Sequence, residues 1–530
     1  MLFHFMKLLK KTPSESSKLT NALKKLFGRS DSPTKEPFDA SKIPSAVSFN
    51  RDFFFWNMRN IPISEAVKSM MICGAPGAGK TISIQCFLQS IAERLLIEGP
   101  EACRLIMFDG KCDAVPMLAS MGLTPESERV WILNPFDKRS AICSLADAAR
   151  EPAYIRYMGK AMIPDDKNAS APFWNLAAQQ LAQAGVISLN AIKQGDWTLR
   201  DLLCALSSRE NILGVSARDD RASETAKQIL NDDKHSDGVI ASLWTKLARF
   251  EETAALWETV IQKKVFSVEK FLSGGGVLIL GNDPVLNESI QPINQLILKM
   301  VTDAVLRGPE TRQVKHFFVF DEFPALGKVD FIGRLLSEGR SKGASVLIGT
   351  QSVESLVNLY GEALTDVILG QCAHKMFLRA GSARTAEWAE KHFGKIRHME
   401  TTYSETYQHG EVSRGFQHGL KERSLFLASV FLDIPFPVQG GIYHSINDVP
   451  SLESTFVTRR PFDEVLSWLK PRTDVPAIER RTDPKDQVVR PWSEEEKKSF
   501  LGVEKEKGAQ PYLPPRRQKR GDDPNQGTLF

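Results

Sequence analysis

Eight consecutive residues, Gly74-Ala75-Pro76-Gly77-Ala78-Gly79-Lys80-Thr81, fit the spacing GxxxxGK[ST]. Chemistry of a definite kind needs those types in that order. The glycines let backbone N–H groups wrap a phosphate chain, Lys80 reaches the β and γ phosphates, and Thr81 offers its hydroxyl to Mg²⁺. A chance glycine turn is the alternative, and the flanking residues argue against it. The short apolar run Ser69 to Cys73 precedes the turn, and Ile84, Phe87, Leu88 and Ile91 follow it at helical spacing, so strand, loop and helix come in the required order. ATP with Mg²⁺ is the implied ligand.

A phosphate loop needs a partner that activates water. The run Phe317-Phe318-Val319-Phe320-Asp321-Glu322 supplies two carboxylates at the end of an apolar strand, the edge where ligands bind in open α/β sheets. There Asp321 is suited to hold Mg²⁺, and Glu322 to orient and deprotonate the attacking water. Gln351 ends a second apolar run, Ser345 to Thr350, so its amide is expected at the same edge, facing the γ-phosphate or the water. Arg340, in the basic turn Gly339-Arg340-Ser341-Lys342-Gly343, is a candidate to stabilise charge on the transferred phosphoryl group. An exposed helix-end arginine is its alternative.

These residues must be carried by a sheet. Further strand candidates at Arg104 to Phe108 and Val130 to Leu133 extend a strand–helix alternation, and strand signals return at Val277 to Leu280, His316 to Phe320, Ser345 to Thr350 and Lys375 to Leu378. Between them, runs such as Phe173 to Leu189 and Val239 to Phe250 show only helical periodicity. The pattern predicts an α/β fold interrupted by an all-alpha domain. Expected boundaries are a basic amphipathic N-terminal arm over 1–48, a nucleotide-binding domain in two parts over 49–153 and 265–470, the all-alpha domain over 154–264, and a disordered charged tail over 471–530. The tail is dense in charge and proline and ends near Arg516, Arg517, Lys519 and Arg520.

Composition narrows the class further. With 68 basic and 64 acidic residues the net charge of +4 is too small to announce nucleic-acid binding by itself. Seven dispersed cysteines, none in a CxxC or Cys/His cluster, suggest neither a disulfide framework nor a zinc site and point to a reducing, cytosolic setting. No run approaches the roughly 20 apolar residues of a membrane-spanning helix, and the apolar start Met1 to Leu9 is too short for a secretory signal.

The chain also resembles a known family. Asp321-Glu322-Phe323-Pro324-Ala325-Leu326-Gly327, Gly339-Arg340-Ser341-Lys342-Gly343, Gln351-Ser352 and Tyr360-Gly361 look like the core of type IV secretion coupling proteins, the conjugative DNA-transfer ATPases. Asn134-Pro135-Phe136-Asp137, Phe173-Trp174 and Thr385-Ala386-Glu387 add to the likeness, although Phe173-Trp174 fits plain helix packing equally well. The resemblance implies a RecA-like P-loop ATPase domain with an inserted all-alpha domain, and a homo-hexamer around a channel. It also implies ATP-driven passage of single-stranded DNA with its attached relaxase to secretion-channel components. A coupling ATPase for protein effectors, or a nucleotide-gated recruitment adaptor with little turnover, are the alternatives. Two departures stand out. Lys68 occupies the place where relatives can carry an arginine reaching a neighbouring subunit's nucleotide, and lysine lacks the bidentate fork. The usual transmembrane helices are missing, so a cytoplasmic protein peripheral at the bacterial inner membrane is expected, recruited through the arm and a membrane-subunit partner.

Overall fold

The computed structural model describes residues 53–56, 59–99, 101–164, 172–231, 233–258, 264–283, 286–408, 411–450, 454–469, 473–481 and 488–502. The basic arm expected over residues 1–48 lies outside the described residues, as do Arg516, Arg517, Lys519 and Arg520.

Nine strands build the central sheet: β1 (Met70–Cys73), β2 (Arg104–Phe108), β3 (Val130–Leu133), β4 (Gly276–Leu280), β5 (Thr311–Phe320), β6 (Lys342–Thr350), β7 (His374–Phe377), β8 (Ile442–Val449) and β9 (Ser454–Pro461). Their spatial order is β9-β8-β7-β1-β6-β5-β2-β4-β3. The seven strands from β7 across to β3 pair in parallel, and β8 and β9 add antiparallel at one edge. Parallel strands must be covered on both faces, which is why β1, β4 and, after Arg104, β2 are apolar runs buried at every position instead of alternating. Because all seven run the same way, the loops after β1, β2, β5 and β6 leave from one edge. That common edge positions the residues singled out for chemistry.

Helix α1 (Lys80–Ile97) follows β1 and packs on the sheet through Ile84, Phe87, Leu88 and Ile91. Between β3 and β4 the chain runs through helices from Pro152–Met162 to Glu251–Glu258, centred on the long helix α2 (Pro172–Lys193). A two-residue parallel pairing of Ile142–Cys143 with Val265–Phe266 holds the exit and return of this helical insertion together. Within it Trp174 packs on Gly238, where an added Cβ would stand 2.9 Å from the indole, whereas Phe173 is 60% exposed. Trp174 is therefore helix packing. Among the described residues no helix is long and apolar enough to cross a membrane.

Besides the edge strands β8 and β9, two structures stand out that the sequence pattern does not announce. A ribbon of Lys395–Gln408 paired with Glu411–Ser424 stands out from the domain, and Met399 opposite Leu420 and Tyr403 opposite Phe416 make an exposed apolar stripe on it. The second corrects the expected disordered tail over 471–530, because residues 473–481 and 488–502 are folded onto the rest of the chain. The backbone of Lys138 donates to Glu479 and that of Arg481 to Phe136, while Arg480 pairs with the buried Asp283 at 2.7 Å. Farther on, helix α3 (Glu494–Leu501) carries Phe500, whose ring stacks on Trp492 at 4.5 Å. Composition missed this segment because its ordering depends on a partner far back in the chain. Arg200, 3% exposed, donates to the carbonyls of Arg490 and Pro491 and to both oxygens of Glu496, and Trp492 donates its indole N–H to Asp201. Few apolar residues suffice when a buried guanidinium already waits for acceptors.

Trp492→Ala should therefore destabilise the helical insertion by about 3 kcal/mol, the usual cost of truncating a buried aromatic. Hydrogen exchange is the measurement: amides of residues 199–216 should lose protection while those of the central sheet keep theirs.

Candidate functional site

The loop between β1 and α1 is stitched to the ends of the neighbouring strands. The N–H of Gly74 donates to the carbonyl of Thr350 at 3.1 Å and that of Ala75 to Arg379 at 2.8 Å, which fixes the base of the loop to β6 and to the end of β7. Gly74 has no room for a side chain, since its Cβ would stand 2.7 Å from that of Leu378. Gly77 and Gly79 have φ of 77° and 99°, a region that L side chains avoid, and Gly79 is the N-cap of α1. Pro76 and Ala78 complete the turn. Gly74 to Thr81 thus form a tight loop feeding the N-terminus of an 18-residue helix, the geometry that attracts phosphate.

One carboxylate ties this loop to the sheet. Oε2 of Glu322, just past β5, accepts from Nζ of Lys80 at 3.0 Å and from Nε2 of Gln351 at 2.9 Å. Lys80 is 4% exposed, and burial lowers its pKa against the opposing pull of Glu322. Lys80, Glu322 and Gln351, from three separate strand ends, meet at one oxygen.

The preceding residue faces the other way. Asp321 accepts the N–H of Gly110 on Oδ1 at 2.8 Å, while its buried Oδ2 has no partner. Beside it lie Asp109 and Asp113, the three carboxylates having oxygens within 4.8 Å of one another. Asp109 caps the next helix by accepting the N–H groups of Asp113 and Ala114. Burial, reinforced by Asp321 and Asp113, pushes the Asp109 carboxyl up to about 7. Burial likewise raises Asp321 to about 6, against the Gly110 hydrogen bond. An orphan carboxylate oxygen, two neighbouring carboxylates and the Thr81 hydroxyl are hard oxygen donors of the kind Mg²⁺ takes, so the residues fit that ion. Nζ of Lys111 donates to Thr81 Oγ1 at 3.0 Å.

A pocket of about 340 Å³ opens over the phosphate loop, lined by Ala75, Pro76, Gly77, Gly79, Lys80, Thr81, Ile82, Lys111, Gln351, Pro437 and Phe462. Pro437 and Phe462 come from either side of the β8–β9 hairpin. That hairpin is locked to α1 by a 2.6 Å hydrogen bond between Tyr443 Oη and Ser83 Oγ. Sequence reasoning passed over Asp109, Lys111 and Asp113, although Arg104 to Phe108 followed by Asp109 repeats the signal that exposed Asp321, an apolar run ending in an acid. Pro437 and Phe462 carried no comparable signal.

Arg340 is not at this site. It is exposed on a single 3₁₀ turn, Gly339–Ser341, just before β6 begins, whereas Gln351 follows the end of β6. Nine extended residues separate the two edges by roughly 25 Å, so Arg340 cannot reach the pocket of its own chain. Lys68 is also on the far edge, paired with Glu65 at 2.7 Å. Other motif residues support the site from behind. The Thr385 hydroxyl accepts the N–H of Val353 and donates to Glu354, fixing the helix that starts after Gln351. The Tyr360 hydroxyl accepts the N–H of Val329, and its ring stacks on Phe323 beside Glu322.

Residues 57–453 match the family model of the type IV secretion-system coupling protein DNA-binding domain. The chain belongs to the type IV secretion-system coupling proteins. Over 386 residues it is 22% identical to coupling protein TraD of Escherichia coli K12, covering 72% of this chain and 50% of that protein. It spans about half the length of that curated relative. Among solved structures, the bacterial conjugative coupling protein TrwBdeltaN70 in its unbound monoclinic form aligns with a TM-score of 0.61 at 17% identity, over 81% of this chain and 91% of that one. Plasmid coupling protein TrwB in complex with ADP and Mg²⁺ aligns with a TM-score of 0.59 at 16% identity, over 82% and 93%. The coupling-protein fold, a RecA-like α/β domain with an inserted helical domain, is thus shared along most of both chains.

The raised carboxyls give this coupling protein a signed pH dependence. A carboxyl whose folded pKa lies above its unfolded value binds extra protons in the folded state, so its contribution to stability falls as pH rises from about 4 to about 7. Asp109→Asn removes the charge and keeps one of the two acceptor oxygens of the helix cap, so whatever the lost hydrogen bond costs at both pH values, the change in melting temperature should be more favourable at pH 8 than at pH 5. Paired thermal melts in the absence of nucleotide measure the difference; equal shifts at both pH values would contradict it.

Proposed function

We propose that this chain is an ATP-hydrolysing coupling protein that recruits single-stranded DNA with its bound relaxase and drives it towards a type IV secretion channel. The observation that carries the reading is Glu322, held between Lys80 and Gln351 at the mouth of the phosphate loop. When the triphosphate enters, its β and γ phosphates compete for Lys80, and Glu322 is released from the ion pair. The freed carboxylate takes a proton from the attacking water, which Gln351 keeps in line. The water oxygen bonds to the γ-phosphorus as the bond to the β–γ bridging oxygen breaks. Mg²⁺ bound through Thr81 and Asp321 would neutralise phosphate charge. Backbone N–H groups of Gly74 to Gly79 would hold the phosphates, and Pro437 and Phe462, which line the same pocket, would offer apolar surface to the adenine.

Arg340 acts from a neighbouring copy in this reading. Exposed at the opposite sheet edge, it meets a nucleotide only if subunits pack edge to edge in a ring, consistent with a homo-hexamer. Lys68, tied to Glu65, is the weaker candidate for the same task. In this reading the chain works at the cytoplasmic face of the inner membrane as a peripheral protein, held by residues 1–48 and a membrane-subunit partner, in keeping with the family's usual work there.

Lys80→Ala should weaken ATP binding, whereas Glu322→Gln should leave binding within a few-fold and cut turnover by about 10³-fold, since only the second removes the base. Nucleotide affinity and steady-state hydrolysis, with and without single-stranded DNA, are the measurements. Wild-type turnover in Glu322→Gln would overturn the assignment, and turnover indifferent to DNA at low salt would favour protein cargo. Arg340→Ala should bind ATP normally and hydrolyse it slowly by itself, yet regain turnover when mixed with Glu322→Gln. A site with an intact base then borrows its arginine from the other variant.

A further inference from the structure

Lys111 is the second lysine in the pocket, and nothing in the reading above uses it. Its loop is fixed on both sides: the N–H of Gly110 donates to Asp321, the thiol of Cys112 donates to the carbonyl of Asn282 at 2.9 Å, and the N–H of Asp113 donates to Asp109. Cys112 adopts a φ of 61°, a left-handed conformation that a non-glycine residue holds only where its surroundings impose it. Lys111 itself is exposed, and from this constrained backbone its side chain lines the mouth of the pocket. The ammonium reaches the Thr81 hydroxyl at 3.0 Å and stands close enough for its charge to act on both Lys80 and Asp321. Thr81 and Asp321 are the two groups a divalent ion would bridge. A tethered cation therefore sits at the place a diffusible one would take.

We propose that Lys111 is a built-in stand-in for Mg²⁺: it holds the triphosphate when the metal is scarce and is displaced from the Thr81 hydroxyl when the metal binds. A hydroxyl oxygen has two lone pairs, but two cations on it would stand only about 4 Å apart, and their repulsion sets one against the other. The lysine therefore gives the site nucleotide affinity without metal and reduces the extra affinity that metal confers. This rests on the nucleotide reading above and adds to it a residue that sets metal dependence.

The test is the affinity of the full chain for a non-hydrolysable ATP analogue, measured by calorimetry with excess Mg²⁺ and again with excess EDTA. Lys111→Ala should weaken binding in EDTA by about ten-fold or more, the weight of one charge-assisted hydrogen bond, and lose much less in Mg²⁺, so that the gain conferred by Mg²⁺ grows by the same factor. Lys111→Arg should recover part of the EDTA affinity. Equal losses in both conditions would make Lys111 an ordinary phosphate ligand and overturn the proposal, as would no loss in either. Lys80→Ala serves as the reference, weakened in both. If the wild type binds no analogue even with Mg²⁺, the nucleotide reading falls and this inference with it; if it binds and only the Lys111 variants behave otherwise, this inference alone fails.

Discussion

The ion pair between Lys80 and Glu322 is the contact on which the arrangement of the pocket depends. A lysine buried to 4% exposure is costly without a counter-charge, and the loop that presents it has little side-chain substance of its own. Glu322 meets that need from β5 and in doing so draws together the ends of β1, β5 and β6. In the proposed mechanism the same pairing keeps the base idle, because a carboxylate accepting from both an ammonium and an amide is a poor proton acceptor, and bound phosphate would arm it by drawing Lys80 away.

A second carboxylate arrangement lies one strand over, at the ends of β2 and β5. Asp109, Asp113 and Asp321 bring negative charge into a place where burial disfavours it, and the raised carboxyls of Asp109 and Asp321 register that conflict. Relief comes from cations. Lys111 supplies one from within the chain, and the oxygens suit a divalent one from outside. Under the proposed function the site divides into a Lys80–Glu322 half that would handle the proton and an aspartate half that would hold the metal together with Thr81.

How much of this was legible depended on how local its cause is. The phosphate loop, the parallel strands and Asp321-Glu322 were readable because each is a run of neighbouring residues with one physical demand: glycines for a turn, unbroken apolar stretches for a sheet covered on both sides, acids at a strand end. Asp109 repeats the Asp321 pattern and was legible in principle. Pro437, Phe462 and the segment 488–502 were not, since their meaning comes from partners more than 280 residues away, such as Arg200 with Glu496. The edge hairpin β8–β9 failed for another reason. In Ile442–Val449 the apolar residues Ile442, Tyr443, Ile446 and Val449 are irregularly interrupted by His444, Ser445, Asn447 and Asp448, so no periodicity announces the strand. Arg340 shows a third limit: its type and neighbours suggest phosphate chemistry, but only the sheet direction reveals that it lies on the wrong side of its own chain.

That misplacement carries the strongest argument about assembly. A strand fixes both of its ends at once, so the β6 that delivers Gln351 to the pocket must carry Arg340 to the opposite edge. No side-chain rearrangement spans roughly 25 Å. If Arg340 serves the reaction, each pocket must be completed by another copy, and hydrolysis then reports the state of a subunit boundary instead of a single chain. The pocket wall points the same way. Tyr443 binds Ser83 on the helix that follows the phosphate loop, and the strand containing Tyr443 pairs with the edge strand β9. Displacement of α1 by bound nucleotide would thus be felt at that edge of the sheet. If the chain works as the proposed ring-shaped DNA motor, this connection would let the loss of a phosphate in one pocket change what the next subunit meets.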